Sequence, residues 1–128
     1  MPNSESTRRH QRVPLRVPVD VSTIDPELDP RTGRPYFRSC QEHCGNLSTG
    51  GMFIHTAEPP TPGRRLLVRF HTPDGLAVET LARVAWRGRS PGPGPSEKGV
   101  GVEFIEASAA TRAALERIVE RSPQPRGD

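Results

Sequence analysis

A basic run near the N-terminus, Arg8-Arg9-His10-Gln11-Arg12, contains side chains suited to binding phosphates and purine bases. Arginine presents a planar fork of N–H donors that matches phosphate oxygens and the O6 and N7 atoms of guanine. Arg8 and Arg12 are spaced to converge on one ligand if the segment wraps around it. The alternative interpretation is a charged, solvated arm without a specific ligand.

A second candidate segment is the glycine-rich stretch Asn46-Leu47-Ser48-Thr49-Gly50-Gly51. Any tight turn favours Asn, Ser and paired Gly, so a purely structural explanation is available. The same residues also offer an amide for a base edge, a hydroxyl for phosphate or base, and glycine N–H groups that a ligand can approach closely. Asn46, Ser48, Gly50 and Gly51 are therefore candidate ligand-binding residues.

Cys40, His43 and Cys44 form a third group, because Cys and His are the usual ligands of zinc. A closed structural zinc site needs a fourth ligand, and the spacing of these three matches no common zinc pattern. Two cysteines so close together do not suggest a disulfide framework either. We expect free thiols and no bound metal.

Catalytic patterns are missing from the sequence. It contains neither a nucleophile-elbow serine nor a phosphate-binding Walker loop. The carboxylates Asp25, Glu27 and Asp29 stand beside prolines in a stretch rich in turn residues, where a solvated loop is expected. These observations predict a binding protein without enzymatic activity or a cofactor.

The length of 128 residues is sufficient for one domain. The net charge of +3 is modest for a nucleic-acid-binding protein, although all basic residues except Lys98 are arginines. No apolar run is long enough for a membrane helix or a secretory signal, so we expect a cytoplasmic protein without membrane insertion. Residues 1–7 and 122–128 are expected to be disordered ends around a domain that spans residues 8–121.

Alternating apolar residues predict the strands that position these segments. Val13–Val21 alternates with prolines on its outer face, which predicts an edge strand or one paired on a single side. A turn region follows at Ser22–Pro35, and Tyr36–Cys44 is predicted as a strand with Phe37 facing inward. The turn Gly45–Gly51 then leads into the apolar strand Met52-Phe53-Ile54.

The second half of the chain predicts three further strands and a helix. Arg65–His71 and Leu76–Arg87 form a hairpin around Pro73-Asp74-Gly75, with Val78, Leu81, Val84 and Trp86 facing inward. After a Pro/Gly/Ser loop at Ser90–Lys98, the alternation of Val100, Val102 and Phe104 predicts the last strand. Ser108 is a good N-cap for a helix over Ala109–Arg121, with an apolar stripe formed by Ala114, Leu115, Ile118 and Val119. Five or six strands and one helix predict an antiparallel barrel with the helix packed against it.

The two candidate segments together resemble the motifs of the PilZ domain family of cyclic di-GMP receptors. Arg8 to Arg12 supplies R-x-x-x-R at the head of the first strand, and Asn46, Ser48 and Gly51 supply N-x-S-x-x-G before a later strand. The segments Val84-Ala85-Trp86 and Gly99–Phe104 are similar to the last two core strands of the family. Asn46 departs from the Asp found in many members, and the long Ser22–Pro35 region lies between the motifs.

The resemblance implies an all-β fold, a six-stranded antiparallel PilZ-type barrel with one C-terminal helix. It also implies that cyclic di-GMP binds to Arg8, Arg9, Arg12, Asn46, Ser48, Gly50 and Gly51. Arg8 and Arg12 would hold guanine edges and phosphates from a segment that folds around the ligand. Ligand binding would then order this segment and signal to an effector protein, not identified by the sequence, in bacterial motility or biofilm control.

Two other functions are compatible with such a barrel. One is a PilZ-like protein-interaction module that binds no nucleotide. The other is a small basic barrel that binds nucleic acid, but this needs aromatic stacking platforms, and the sequence has only one Trp, one Tyr and four Phe. We therefore expect no nucleic-acid partner.

Overall fold

The computed structural model describes residues 13–90 and 96–121. The predicted disordered ends, residues 1–7 and 122–128, lie outside the described residues, as do Arg8, Arg9 and Arg12. The strands and the single helix within the described ranges are β1 (Val13–Pro14), β2 (Pro18–Thr23), β3 (Glu27–Leu28), β4 (Pro35–Tyr36), β5 (Ser39–Leu47), β6 (Gly51–His55), β7 (Arg65–His71), β8 (Ala77–Arg89), β9 (Lys98–Ile105) and α1 (Ala109–Arg121).

Six strands close into an antiparallel barrel, as predicted. Their order is β5-β2-β7-β8-β9-β6, and β6 pairs back with β5. Closure leaves no free edge along the ring. The short β1 adds to β5 beyond the end of β2, and β3 pairs only with β4 in a separate two-stranded hairpin.

The predicted first strand is divided into β1 and β2. Val19 and Val21 are buried, and Leu15 and Val17 pack against the core, so the predicted inward face is correct at these positions. The prediction of one-sided pairing is wrong for β2, because Asp20, Val21 and Ser22 pair with both β5 and β7. Pro18, which cannot donate a ladder hydrogen bond, lies where β5 alone is paired.

The predicted inward position of Phe37 is wrong. Its side chain is 65% exposed, because β5 begins only at Ser39 and Phe37 follows the β3–β4 hairpin instead. That hairpin occupies the stretch predicted as an extended turn region. It pairs Glu27 with Tyr36 and Leu28 with Pro35.

The predicted inward positions of β8 are only partly correct. Val78 and Val84 are buried, but Thr80 and Ala82 are the buried residues between them, and Leu81 is half-buried on the other side. A bulge between Val84 and Trp86 then shifts the alternation of inward and outward side chains by one residue. The Trp86 indole consequently lies over Gly101, which is outside the apolar cluster that fills the barrel.

Helix α1 begins and packs as predicted. The Ser108 hydroxyl accepts the Thr111 N–H at 3.1 Å, which satisfies one of the unpaired donors of the first turn. Ala114, Leu115 and Ile118 are buried in the same cluster as the barrel core. Each fully buried Leu or Ile side chain contributes about 1.5–3 kcal/mol, so the helix is fixed to the barrel by its apolar stripe. Within residues 13–90 and 96–121, no helix combines the length and apolar character needed to cross a membrane.

Candidate functional site

The β5–β6 hairpin contains the predicted N-x-S-x-x-G residues. Strand β5 continues to Leu47 and β6 begins at Gly51, so the turn is shorter than the predicted Gly45–Gly51. Asn46 therefore belongs to a strand, where its backbone has a fixed direction, and Ser48 and Gly50 belong to the turn. The structure thus brings Asn46, Ser48, Gly50 and Gly51 together at one end of the barrel wall.

Ser48 holds the turn through its own hydrogen bonds. Its backbone N–H donates to the Gly51 carbonyl at 2.9 Å, and its hydroxyl lies 3.4 Å from the same oxygen. The Gly50 N–H in turn donates to the Ser48 hydroxyl at 3.2 Å. A serine hydroxyl has one donor and two lone pairs, and these contacts use the donor and one lone pair. Ser48 is only 7% exposed, so its first role is to shape the turn.

Gly51 is required by the approach of β9. A Cβ at this position would collide with the carbonyl oxygen of Val102. The neighbouring Gly50 carbonyl accepts the Phe104 N–H at 2.8 Å, which ties the turn to the same strand. The backbone of β9 therefore requires glycine at position 51, whether or not a ligand contacts it.

A bulge at Gly45 sets the direction of Asn46. Cys44 lies opposite Ile54 and Asn46 lies opposite Phe53, so Gly45 is the extra residue of β5. The His55 ring occupies the space where a Gly45 side chain would be. Because the buried neighbours Cys44 and Leu47 face the core, Asn46 shares the outer surface of the barrel with Phe53.

Asn46 lies at one end of an outer row that crosses four strands. Asn46 pairs with Phe53, Phe53 with Gly101, and Gly101 with Trp86. The rings of Phe53 and Trp86 are 5.5 Å apart between centroids, at an angle of 32°. A Cβ on Gly101 would collide with the Trp86 indole, so the glycine allows the indole to lie flat on the sheet.

This aromatic pair was not predicted from the sequence, which placed Trp86 inward. The signal that could have revealed it is the run Val100-Gly101-Val102, because a glycine between two core positions of a strand marks a close approach on the opposite face. Phe53 beside Asn46 is itself fully buried, with the His55 and Trp86 rings packed against it.

Charged groups border this row on both sides. His55 Nδ1 lies 2.9 Å from a carboxylate oxygen of Glu97, and the Phe53 and His55 rings contact each other edge to face. On the other side, Glu103 lies opposite Gly51 and 3.7 Å from the guanidinium of Arg83. The Arg83–Glu103 pair is about half exposed, so its contribution to stability is small.

Both cysteines are free thiols, as predicted. Burial raises the pKa of Cys44 to about 12, and its thiol donates to the Asn46 carbonyl oxygen at 3.2 Å. Cys40 is exposed, and its pKa is raised by partial burial and by its hydrogen bond to Glu42. Among the residues that the structure describes, no group of three or more His, Cys, Asp or Glu side chains could hold a metal ion.

The arginine candidates Arg8, Arg9 and Arg12 lie outside the described residues, but the point where their segment joins the barrel is described. Val13 pairs with Leu47 and Pro14 pairs with Asn46. The segment that carries the arginines therefore joins the barrel directly beside the N-x-S-x-x-G hairpin. The residue that follows the first motif, Val13, is thus paired with a residue of the second, about thirty positions further along the sequence.

A closed six-stranded antiparallel barrel, a C-terminal helix and a polar hairpin beside the start of β1 together define a class of small antiparallel barrels. Within that class, the chain belongs to the PilZ domain family, whose profile matches residues 6–121. No curated protein matches the chain in sequence.

Solved structures with the same fold include three PilZ-related proteins. The PilZ domain of YcgR from Escherichia coli, solved with c-di-GMP, has a TM-score of 0.61 and 16% identity, with 88% of each chain covered. The inhibitor of motility MotI/DgrA from Bacillus subtilis has a TM-score of 0.65 and 18% identity over 89% of this chain. The PilZ domain of CeSA from a cellulose-synthesizing bacterium has a TM-score of 0.55 and 17% identity, over 86% of this chain and 95% of its own. The chain spans half the length of MotI/DgrA.

Proposed function

We propose that this protein is a receptor for cyclic di-GMP. The observation that carries the proposal is the pairing of Val13 with Leu47 and of Pro14 with Asn46. In a member of the PilZ family, this pairing attaches the R-x-x-x-R segment next to the N-x-S-x-x-G hairpin. Ligand contacts from both motifs can then converge on one nucleotide.

Each candidate residue has a chemical role in this proposal. Arg8 and Arg12 bind the guanine O6 and N7 atoms or the phosphates, and Arg9 adds a phosphate contact or stacks on a base. Asn46 pairs with a guanine edge from the barrel side, where its amide offers both a donor and an acceptor. The remaining lone pair of Ser48 accepts from the ligand, while Gly50 and Gly51 keep the turn narrow enough for close approach.

The proposed output is an ordered N-terminal segment. Binding fixes the arginines against the hairpin, and an effector protein then recognises the new surface. No chemical step is required, so the protein acts as a cytoplasmic adaptor and not as an enzyme. Ordering the segment costs conformational entropy, which limits the affinity for the nucleotide.

A second candidate function is a PilZ-like interaction module without a nucleotide. The favouring observation is that Ser48 and Gly51 both have structural roles at their positions: the hydroxyl bonds inside the turn, and the glycine avoids the Val102 carbonyl. A hairpin of this kind would need the same residues even if no ligand bound there.

Isothermal titration calorimetry separates the two functions. We expect cyclic di-GMP to bind the wild-type chain, and Arg8→Ala or Arg12→Ala to weaken binding by about tenfold or more, since a bidentate contact to guanine is worth roughly 1–3 kcal/mol. Arg117→Ala, an exposed arginine on α1, is the matched control and should bind normally. Cyclic di-AMP should bind much more weakly, because adenine presents an amino group in place of O6. Equal affinity of the wild type and both variants would remove the proposed site, and no binding by the wild type would favour the interaction module.

A further inference from the structure

The bulge at Gly45 determines which way Asn46 faces. Cys44 and Leu47 are both fully buried in the core, yet they are three positions apart in β5. In a regular strand, residues three positions apart face opposite sides of the sheet. The extra residue Gly45 removes this conflict, because it lets both core residues face inward while Asn46 faces outward between them. The direction of Asn46 therefore depends on the bulge.

The Cys44 thiol holds the inner side of the bulge. It donates to the Asn46 carbonyl oxygen at 3.2 Å from a fully buried position. Asn46 also pairs with Pro14 of β1 and with Phe53 of β6. The Asn46 backbone is thus held from the core and from both neighbouring strands, which leaves the outer side of the bulge to be held by another group.

The His55 ring covers that outer side. It fills the space beside Gly45, where a Cβ would collide with the imidazole Nε2. Gly45 does not have the positive φ that favours glycine, since within residues 13–90 and 96–121 the glycines with positive φ are Gly33, Gly63 and Gly75. Glycine is therefore required at position 45 by the His55 ring and not by the conformation of the backbone.

The His55 ring is itself held in place on two sides. Its edge-to-face contact with Phe53 has a centroid distance of 5.1 Å and an interplanar angle of 77°. Its Nδ1 atom lies 2.9 Å from a carboxylate oxygen of Glu97, and only 15% of the His55 side chain is exposed. The ring cannot move away from Gly45 without losing one of these contacts.

Glu97 has a fixed position at the base of the loop between β8 and β9. Its backbone N–H donates to the Ser90 hydroxyl at 3.1 Å, and its carbonyl accepts the Ser90 N–H at 2.8 Å. A continuous series of contacts consequently runs from this loop base through the His55 ring to the bulge at Gly45. The β8–β9 loop and the β5–β6 hairpin are joined at this point.

We propose that His55, held by Glu97, is a positioning residue for the nucleotide site. The ring keeps the bulge in one conformation, and the bulge directs Asn46 towards the ligand. This inference rests on the proposed binding of cyclic di-GMP. Without the ring, Gly45 gains conformational freedom and Asn46 must be ordered again when the nucleotide binds, which weakens the affinity.

A double-mutant cycle tests the proposal by isothermal titration calorimetry of the full chain with cyclic di-GMP. Asn46→Ala and His55→Ala should each weaken binding by roughly tenfold, the loss of one good contact to a guanine edge. The double variant should bind no more weakly than Asn46→Ala alone, because His55 acts through Asn46. If His55 has only a general structural role, the two losses should multiply.

An exchange of side-chain size gives a second measurement. Gly45→Ala should weaken cyclic di-GMP binding, because its methyl group collides with the His55 ring. Combining Gly45→Ala with His55→Ala should recover most of the affinity lost in Gly45→Ala, since the collision is then absent and the methyl group occupies part of the space of the ring. Glu97→Ala leaves the core intact, because 42% of the Glu97 side chain is exposed, and should weaken binding by roughly threefold.

Val68→Ala is the matched control for a loss of stability without a loss of positioning. Val68 is fully buried in β7, which pairs with neither β5 nor β6. This variant should have a lower Tm and the nucleotide affinity of the wild type. Unchanged affinity in His55→Ala, or losses that multiply in the double variant, would overturn the positioning role while the receptor function stands. No binding by the wild type would overturn the proposed function and the positioning role with it.

Discussion

Cys40 and Cys44 lie four positions apart, yet they have opposite chemical environments. Cys44 is buried and its pKa is raised to about 12, whereas Cys40 is exposed beside Glu42. We expect Ellman's reagent to modify one thiol per native chain and the second only after unfolding, because the thiolate is the reactive form. Cys40→Ser should abolish the native reaction. Rapid modification of two thiols in the native chain would contradict the buried position of Cys44.

The same burial gives stability a pH dependence. Unfolding returns the Cys44 pKa from about 12 towards its ordinary value of 9.0, so the unfolded chain loses a proton that the folded chain retains. The contribution is fully present below pH 9 and is lost as the pH rises towards 12, with a limiting slope of about 1.4 kcal/mol per pH unit. Urea denaturation across this range measures it. Cys44→Val should show a smaller slope, and an identical slope would assign the alkaline destabilisation to other groups.

Residue identities predicted much of the candidate site but not its internal bonds. The types and spacing of Asn46, Ser48 and Gly51 were sufficient to select the hairpin. The collision that a Gly51 side chain would cause depends on the position of β9, some fifty residues further along the chain. Contacts of that range leave no local pattern in a sequence.

In the outer row that runs from Asn46 to Trp86 across four strands, the position of the Trp86 indole depends on Gly101. We expect Gly101→Ala to displace the indole and destabilise the barrel by about 1–3 kcal/mol, the usual cost of overpacking. Gly88→Ala is the matched control, because a Cβ there would lie 3.8 Å from the same indole, an ordinary contact distance. Urea denaturation followed by Trp86 fluorescence measures both variants. Equal stability of the two would show that the indole is not held by the glycine.

Strand periodicity was a good guide where a strand is regular and a poor one at bulges. Val68 and Phe70 of β7 are buried as the alternation predicts. In β8 the bulge after Val84 adds one residue, so Trp86 falls on the opposite face from the one that simple counting assigns. Phe37 was misplaced for a related reason, since a two-residue strand is too short to produce a recognisable alternation.

At the scale of the whole molecule, the barrel and helix α1 share one apolar core. Leu115 and Ile118 are buried among the same residues as Val19 and Val84. The barrel was predictable from the number of strands and the terminal helix, while its closure also needs the pairings of β2 with β7 and of β6 with β9, which join strands more than forty residues apart. A single core of this size is expected to unfold cooperatively.

Because unfolding is cooperative, a ligand bound at the proposed nucleotide site raises the free energy of unfolding of the whole chain, and that increase can be measured. A ligand that binds only the folded state at a hundred times its Kd adds about 2.7 kcal/mol. For a chain of 128 residues, which lies between the small and the larger single domains, each kcal/mol raises Tm by roughly 4 °C. Saturating cyclic di-GMP should therefore raise the Tm of the wild type by about 10 °C or more, as measured by differential scanning calorimetry.

Substitutions inside and outside the proposed site test which residues produce this increase in Tm. Arg12→Ala should lose about half of the shift or more, because a tenfold weaker affinity at the same ligand concentration lowers the added free energy from about 2.7 to about 1.4 kcal/mol. Arg117→Ala should retain it, since α1 carries this arginine on an exposed position far along the sequence from both motifs. A shift that persists in Arg12→Ala but disappears in Asn46→Ala would assign binding to the hairpin alone. The N-terminal segment would then not be the element that responds to the ligand, and signalling by its ordering would be wrong.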